Sequence, residues 1–491
     1  MSVEHNLPII RERKQAILTG DPDRIAEQKK AGKLTARERI NALLDGASFV
    51  ELDALACDAG VVTGYGLIEG SPVYVYAQDF TVKGGSVGAA HARKVKKVLS
   101  LAEKTGAPVI AIYDTAGARL DEGVDAISAY AEMASATSAL SGVVPQVALV
   151  MGQCGGIAAA CAEMNDFVIM SKAGALFVNG PQVVSAASGK TVTLDAIGGC
   201  EACVKSGVAQ ITCASDEEAI ASARKLVSLL PVNNMETAEF DVTDDVNRVS
   251  PDLNEIDTVA DARDVIARVV DNGDYMELGA DFAASMVTAI AKIGGRTVGI
   301  IANQPTKDEG RLTVYGCKKA ARLVTFCDAF SIPVVSLVDS NGMKINSAPQ
   351  GELARAGAQL LFALSEATTP RVAVITGNAV GMGYAALASR AASAMVYAWP
   401  GAVVSAVTAP IAVQLTMADQ FAGAEDPIAR RAELEEKYKN DVADGVHAAV
   451  KGYVDDVIEP SETRQLVAAA LEMLAGKRDS KPAKKHGNMP L

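Results

Sequence analysis

The sequence predicts an α/β protein built from two copies of one parallel-sheet unit. Three observations lead there. Aromatic residues make up only 4% of the chain while hydrophobic residues reach 49%, so aliphatic strands and closely packed helices must fill the interior. Continuous apolar runs such as "PVIAIYD" and "QVALVMG" precede glycine-containing entries into helices, as buried parallel strands do. Finally, three segments recur in a single register. "VVTGYGLIEGSPVYVYAQ" (61–78) returns as "MVTAIAKIGGRTVGIIAN" (286–303), "GAPVIAIYDTAG" (106–117) as "SIPVVSLVDSNG" (331–342), and "VPQVALVMGQCGG" (144–156) as "TPRVAVITGNAVG" (369–381). The offset is 225 residues each time (61 to 286, 106 to 331, 144 to 369), which makes Asp114 and Asp339, Gly152 and Gly377, and Gly156 and Gly381 equivalent. So long a period is a duplicated domain, not a solenoid.

Each element follows from local chemistry. "LTARERINALLD" (34–45) is an amphipathic helix opened by a capping box, Thr35 with Glu38. In each half two strands pair through a turn, at Glu69-Gly70 or Gly294-Gly295. A helix (91–105; 317–330), a buried strand, an excursion of equal length and a second strand come next. The polar, acidic and proline-punctuated stretch 231–256 separates the copies, which gives domains of residues 1–250 and 251–491. "SETRQLVAAALEMLAG" (461–476) is a helix stopped by Gly476, and the basic tail "KRDSKPAKKHGNMPL" has no packing pattern of its own.

The net charge of −13 argues against nucleic acid or an anionic membrane as partner. No apolar run is long enough to span a bilayer, and "MSVEHNLPIIRERK" does not read as a signal peptide. Eight cysteines without framework spacing fit free thiols, so a cytoplasmic protein is expected.

Most of the candidate chemistry fails on its own terms. The four histidines (His5, His91, His447, His486) stand beside no serine or cysteine at a strand end. "CEAC" (200–203) lacks the second ligand pair zinc needs, and no metal is expected. "SGKT" (188–191) has Val184 where a phosphate loop needs glycine. "GMKINS" (342–347) lies after a buried strand, the wrong place for a biotin-bearing hairpin turn. "MGQCGGIAAA" (151–160) remains. Cys154 has Ala379 as its repeat partner while Gly156 recurs as Gly381, so duplication kept the backbone feature and lost the sulfur. A glycine between strand and helix presents unpaired N–H groups at a helix N-terminus, which suits an enolate oxyanion.

Several segments together resemble the carboxyltransferase subunits of biotin-dependent acyl-CoA carboxylases and decarboxylases: "GKLTARERINALLD", "YAQDFTVKGGSVGAAHARK", "TAGARLDEGVDAISAY", "VVPQVALVMGQCGG", "VKGYVDDVIEPSETR" and "KKHGNMPL". The likeness covers nearly the whole chain and is strongest to propionyl-CoA carboxylase β and methylmalonyl-CoA decarboxylase α subunits. It implies two crotonase-like domains, acyl-CoA on the first and carboxybiotin, carried by a separate protein, on the second. It also implies a hexamer built from dimers, with a biotin carboxylase and carrier or membrane decarboxylase subunits as partners. Carried over residue by residue, one oxyanion hole falls on Gly156 and Ile157 and the other on Gly381, Met382 and Gly383. Ala116, Gly117, Arg119 and Gly155 would line the substrate side, Arg119 being either a ligand or an ion-pair partner of Asp121 or Glu122.

The chain departs from the family at these sites. The family's first hole usually reads Ala-Gly-Gly where this chain has Gly155-Gly156-Ile157, and Ala385 replaces an aspartate that influences acyl-chain choice. The biotin-side loop is replaced by residues 340–351, "SNGMKINSAPQG". Two alternatives to carboxyl transfer stay open: a biotin-independent crotonase-type thioester decarboxylase or hydrolase, and a weakened CoA-binding assembly subunit.

Overall fold

The structure, a computed structural model, describes residues 3–256, 259–345, 349–479, 481–485 and 487–490. It divides into two compact units, Met1–Thr237 and Ala238–Leu491. In the first, β1 (Val50–Leu52), β2 (Val61–Ile68), β3 (Ser71–Gln78), β4 (Val109–Thr115), β5 (Gln146–Gly155), β6 (Phe167–Ser171), β7 (Ala175–Phe177) and β8 (Ile211–Cys213) share one sheet. Its order is β1-β2-β3-β4-β5-β6-β8, with β7 added to the end of β5. The first three strands are antiparallel and the rest parallel.

The second unit repeats the plan with β9 (Tyr275–Glu277), β10 (Met286–Ile293), β11 (Arg296–Asn303), β12 (Val334–Ser340), β13 (Arg371–Val380), β14 (Met395–Ala398), β15 (Val403–Ser405) and β16 (Asp456–Val457). Here the order is β16-β14-β13-β12-β11-β10-β9, with β15 on β13. β4 and β12 are buried along their whole length, which is why their sequences run apolar without alternation.

The duplication extends to individual polar contacts. Glu69 and Gly70 make the first hairpin turn with φ of 50° and 81°, and Gly294 and Gly295 make the second with 57° and 79°. Left-handed backbone at both central residues matches the twist of the flanking strands. A carboxylate clamps each turn: Asp45 accepts the N–H groups of Glu69 and Gly70, and Asp271 those of Gly294 and Gly295. Two-pronged arginine–glutamate pairs also recur, Arg37 with Glu51 and Arg263 with Glu277. Lys94 donates to the Val61 carbonyl as Lys319 does to that of Met286.

The capping box forms as expected, with Thr35 and Glu38 bonded reciprocally at the head of helix Ala36–Leu43. Two boundaries differ from the sequence reading. The division falls at Thr237, earlier than residue 250, because segment 238–256 is bonded into the second unit: Asp241 N–H donates to Gly295 and Ser250 N–H to Ser461. The basic tail also packs. Lys477 and Lys481 donate to the carbonyls of Thr368 and Ser365, and Lys484 pairs with Glu366, all around the C-terminal end of helix Gly351–Glu366. Cations there meet the negative end of the helix dipole.

Candidate active site

In the first unit β5 runs out at Gly155, Gly156 turns with φ 67°, and helix Ile157–Glu163 begins. The Gly156 N–H is already donated to the Phe177 carbonyl at 2.9 Å, because β7 pairs with the last residues of β5. Only the Gly156 carbonyl turns into the helix, accepting from Ala159 at 3.2 Å. The amides left without an acceptor among the described residues are therefore Ile157 and Ala158, one residue further along than Gly156 and Ile157. In the second unit only Gly381 drops out of the expected set. Gly381, with φ 51°, donates to the Ser405 carbonyl at 2.8 Å, and Ala385 donates back to Gly381, which leaves the N–H groups of Met382 and Gly383, and of Tyr384 after them, without an acceptor among the described residues.

Close packing sets these positions. A Cβ on Gly155 would sit 2.7 Å from the Phe177 ring, and one on Gly383 would sit 2.9 Å from the Ser340 Cβ. The bulky residues do not fill the turns. Ile157 is 42% exposed, and the Met382 methyl packs over Gly357 of helix Gly351–Glu366.

The other proposed substrate contacts are committed elsewhere. The Ala116 N–H donates to Gly84 and that of Gly117 to Thr115 Oγ1. Arg119 corrects the ligand reading. It is 7% exposed, pairs with Glu122 at 3.1 Å, and also donates to Ser86 and to the Ala59 carbonyl. Every guanidinium nitrogen has an internal acceptor, so Arg119 braces the loop after β4. Lys344, its repeat partner, pairs with Asp308 at 3.0 Å.

Cys154 is fully buried, and burial holds its thiol well above the usual range, so no thiolate is available. Cys200 and Cys203 donate to the Ser171 and Gly198 carbonyls. "SGKT" begins where helix Pro181–Ser188 ends, at the wrong pole for a phosphate. His91 is buried with its pKa pushed down to about 3 by desolvation, which leaves it a neutral ring against the Ala59 carbonyl. His486, Asn346 and Ser347 lie outside the described residues.

Sequence reasoning left the strand-end aspartates unassigned. Asp114 is fully buried and holds Gln28 at 2.9 Å, Lys33 at 3.0 Å and Arg39 at 2.9 Å. A Cβ on Gly152 would fall 1.9 Å from its Oδ1, so this residue is glycine to admit the carboxylate. The signal was the repeat of aspartate and glycine at one offset. Beside this cluster is a cavity of about 410 Å³ lined by Arg24, Gln28, Lys33, Phe80, Lys83 and Gly84. It adjoins the Ala116–Gly117 loop through Gly84, which accepts the Ala116 N–H.

Residues 27–489 match the carboxyl transferase domain family. The chain belongs to the carboxyl transferase family. Over its full length this carboxyltransferase is 42% identical to the methylmalonyl-CoA carboxyltransferase 12S subunit of Propionibacterium freudenreichii subsp. shermanii, covering 98% of that protein. It is 39% identical to the methylmalonyl-CoA decarboxylase subunit alpha of Propionigenium modestum, over 98% of each chain. The crystal structure of transcarboxylase 12S, a hexamer with hydrolysed methylmalonyl-CoA bound, superposes with a TM-score of 0.94 at 41% identity, covering 100% of this chain and 99% of that one. The duplicated crotonase-like fold of such carboxyltransferases is the architecture seen here.

Proposed function

We propose that this carboxyltransferase moves a carboxyl group between carboxybiotin on a separate carrier protein and a short-chain acyl-CoA, with propionyl-CoA and methylmalonyl-CoA as the pair. The observation that carries the reading is a pair of amides without an acceptor among the described residues at the same turn of each duplicated unit: Ile157 with Ala158, and Met382 with Gly383. A reaction with two oxyanions to stabilise needs two such sites, and each donor can contribute about 3 kcal/mol to its transition state.

In the first unit the Ile157 and Ala158 N–H groups hold the thioester oxygen as the acyl-CoA becomes an enolate. The cavity beside the Asp114 cluster is lined by Arg24, Lys33 and Lys83, which pair with Glu27, Asp114 and Asp58, and these are the cations that the phosphates of CoA would draw on. In the second unit the Met382 and Gly383 N–H groups suit a neutral ureido carbonyl that gains negative charge. Biotin, when bound, supplies the carboxyl group and the base. No step calls on a metal. By the same likeness the chain assembles as a hexamer in the cytoplasm, with a biotin carboxylase and carrier, or membrane decarboxylase subunits, as partners. Among its described residues no helix is long and apolar enough to cross a membrane.

The test is transfer from methylmalonyl-CoA to free biotin by the purified full-length protein. Carboxybiotin should accumulate with equimolar loss of methylmalonyl-CoA. Turnover of the thioester that ignores biotin would overturn the proposal.

A further inference from the structure

Lys94 and Lys319 are repeat partners at the same offset of 225 residues, yet only one of them is fully bonded. Lys319 Nζ gives its N–H groups to three carbonyls, those of Gly279 at 2.6 Å, Phe282 at 2.9 Å and Met286 at 2.8 Å. Lys94 is 2% exposed, and among the described residues its Nζ donates once, to the Val61 carbonyl at 2.9 Å. The cause is an insertion. Thr63 Oγ1 donates to the Leu52 carbonyl as Thr288 Oγ1 does to that of Leu278, so the two leucines are equivalent, as are Val61 and Met286. Eight residues, 53–60, lie between Leu52 and Val61, and seven, 279–285, between Leu278 and Met286. The longer loop forms the helical turn Cys57–Ala59 and leaves its lysine one carbonyl.

Lys94 lines a cavity of about 340 Å³ together with Cys57, Val62 and Asp79, and with Ile17, Leu18 and Ile25 of the two N-terminal helices, Val3–Thr19 and Pro22–Lys30. This cavity shares only Thr81 with that of Arg24, Lys33 and Lys83. The other charges in its wall are committed. Arg37 holds Glu51 with two nitrogens, Lys29 holds Glu38 at 2.6 Å, and Asp79 accepts the N–H and the hydroxyl of Thr81. Asp53, whose charge acts on Lys94 through space as that of Glu51 does, pairs with Lys97 at 2.7 Å. Among the described residues Lys94 is therefore the one cation of this lining with no carboxylate bonded to it. A buried ammonium with unmet N–H groups is costly.

We propose that the cavity binds a short aliphatic monocarboxylate, its two oxygens accepting the spare N–H groups of Lys94 and its alkyl chain lying on Ile17, Leu18 and Ile25. A carboxylate offers two acceptors and makes charge-assisted bonds, where the second unit uses neutral backbone carbonyls. Burial lowers the Lys94 pKa from the usual lysine value while Glu51 and Asp53 oppose that, and a bound carboxylate adds to the opposition. A second anionic group on the ligand would find no uncommitted cation and would face Asp79, so dicarboxylates are disfavoured. The site stands apart from the carboxyl-transfer chemistry and does not depend on it.

Cys57 reports on the site, because it is exposed and lines the same cavity, whereas the other cysteines are buried or half-buried. Iodoacetamide alkylates it, the sulfur displacing iodide, and peptide mass spectrometry of the full-length protein reads the rate at that residue. Propionate at about 20 mM should slow the reaction about fivefold, as a Kd of about 5 mM requires. Propionamide, which lacks the charge, and malonate, which carries two, should not protect. Lys94→Met keeps the apolar stem and loses the donors, so propionate should no longer protect, while Lys319→Met should leave protection intact. A second measurement needs no variant. Iodoacetate is itself a short monocarboxylate, and its rate relative to iodoacetamide should be about fivefold higher at Cys57 than at glutathione. Lack of protection by propionate, protection that survives Lys94→Met, or an iodoacetate preference no greater than that of glutathione would overturn the proposal. Free CoA should leave the alkylation unchanged, and protection by it would assign the cavity to the acyl-CoA site and overturn the proposal likewise.

Discussion

Cys154 lies in "GQCGG", where a thiol nucleophile would be looked for, but its surroundings are those of a core residue. It is fully buried, pairs across the sheet with Thr115, and its thiol is pushed up by desolvation. The N–H groups three and four residues later do not depend on its sulfur. Cys154→Ala should therefore retain transfer activity within about twofold, with a stability loss of about 1 kcal/mol for the small void. Steady-state kinetics and urea unfolding read the two effects separately, and abolished activity in a folded variant would return the chemistry to the thiol. Ile157 gives the complementary case. Ile157→Gly removes a half-exposed side chain and keeps the amide, so transfer should persist or rise in the same assay.

The helix Ala36–Leu43 shows which elements could be read in advance. Its capping box was legible because Thr35 and Glu38 are three residues apart and their bonds are local. The hairpin turns were legible for the same reason. Arg39 was not, since an amphipathic reading assigns an arginine to the solvated face. In the structure it is fully buried and bonds Asp114, Asp216 and the Met151 carbonyl, 75, 177 and 112 residues away. The tail lysines were opaque likewise, because their acceptors are carbonyls more than a hundred residues distant. The sequence reading set the first amide turn on Gly156 and Ile157 and the second on Gly381, Met382 and Gly383, and it could not see that Gly156 and Gly381 are bonded to Phe177 and Ser405, since those bonds depend on short added strands. For Arg39 the long reach has an energetic consequence. Arg39→Met would leave Asp216 without its cation and Asp114 with Lys33 alone, a loss of about 3–5 kcal/mol. Adding Asp114→Asn should recover part of it in urea unfolding, and strict additivity would show that the two groups are not coupled.

At the scale of the whole chain, the two units reuse one device with different exposure, and that difference is testable. Asp45 clamps the first hairpin and meets Arg224 at 2.9 Å, with side-chain exposures of 29% and 26%. Asp271 clamps the second and meets Arg464 at 2.7 Å, with exposures of 4% and 1%. Solvent screens the first pair and weakens its contribution. Removing Asp271 leaves the buried Arg464 guanidinium only the longer contact with Asp244 at 3.4 Å and strips the turn of its acceptor, and Asp271→Ala should cost about 3 kcal/mol. Arg464 also donates to the carbonyls of Asp245 and Val269, which binds segment 238–256 and helix Ala262–Val269 to the same clamp. Hydrogen exchange followed by mass spectrometry can resolve the outcome by unit. Asp271→Ala should raise exchange in β10, β11 and helix Thr463–Met473, where the clamp and its arginine sit. Asp45→Ala should raise exchange in β2 and β3 to a smaller extent. Equal effects from the two substitutions would mean that burial does not set the strength of the clamp.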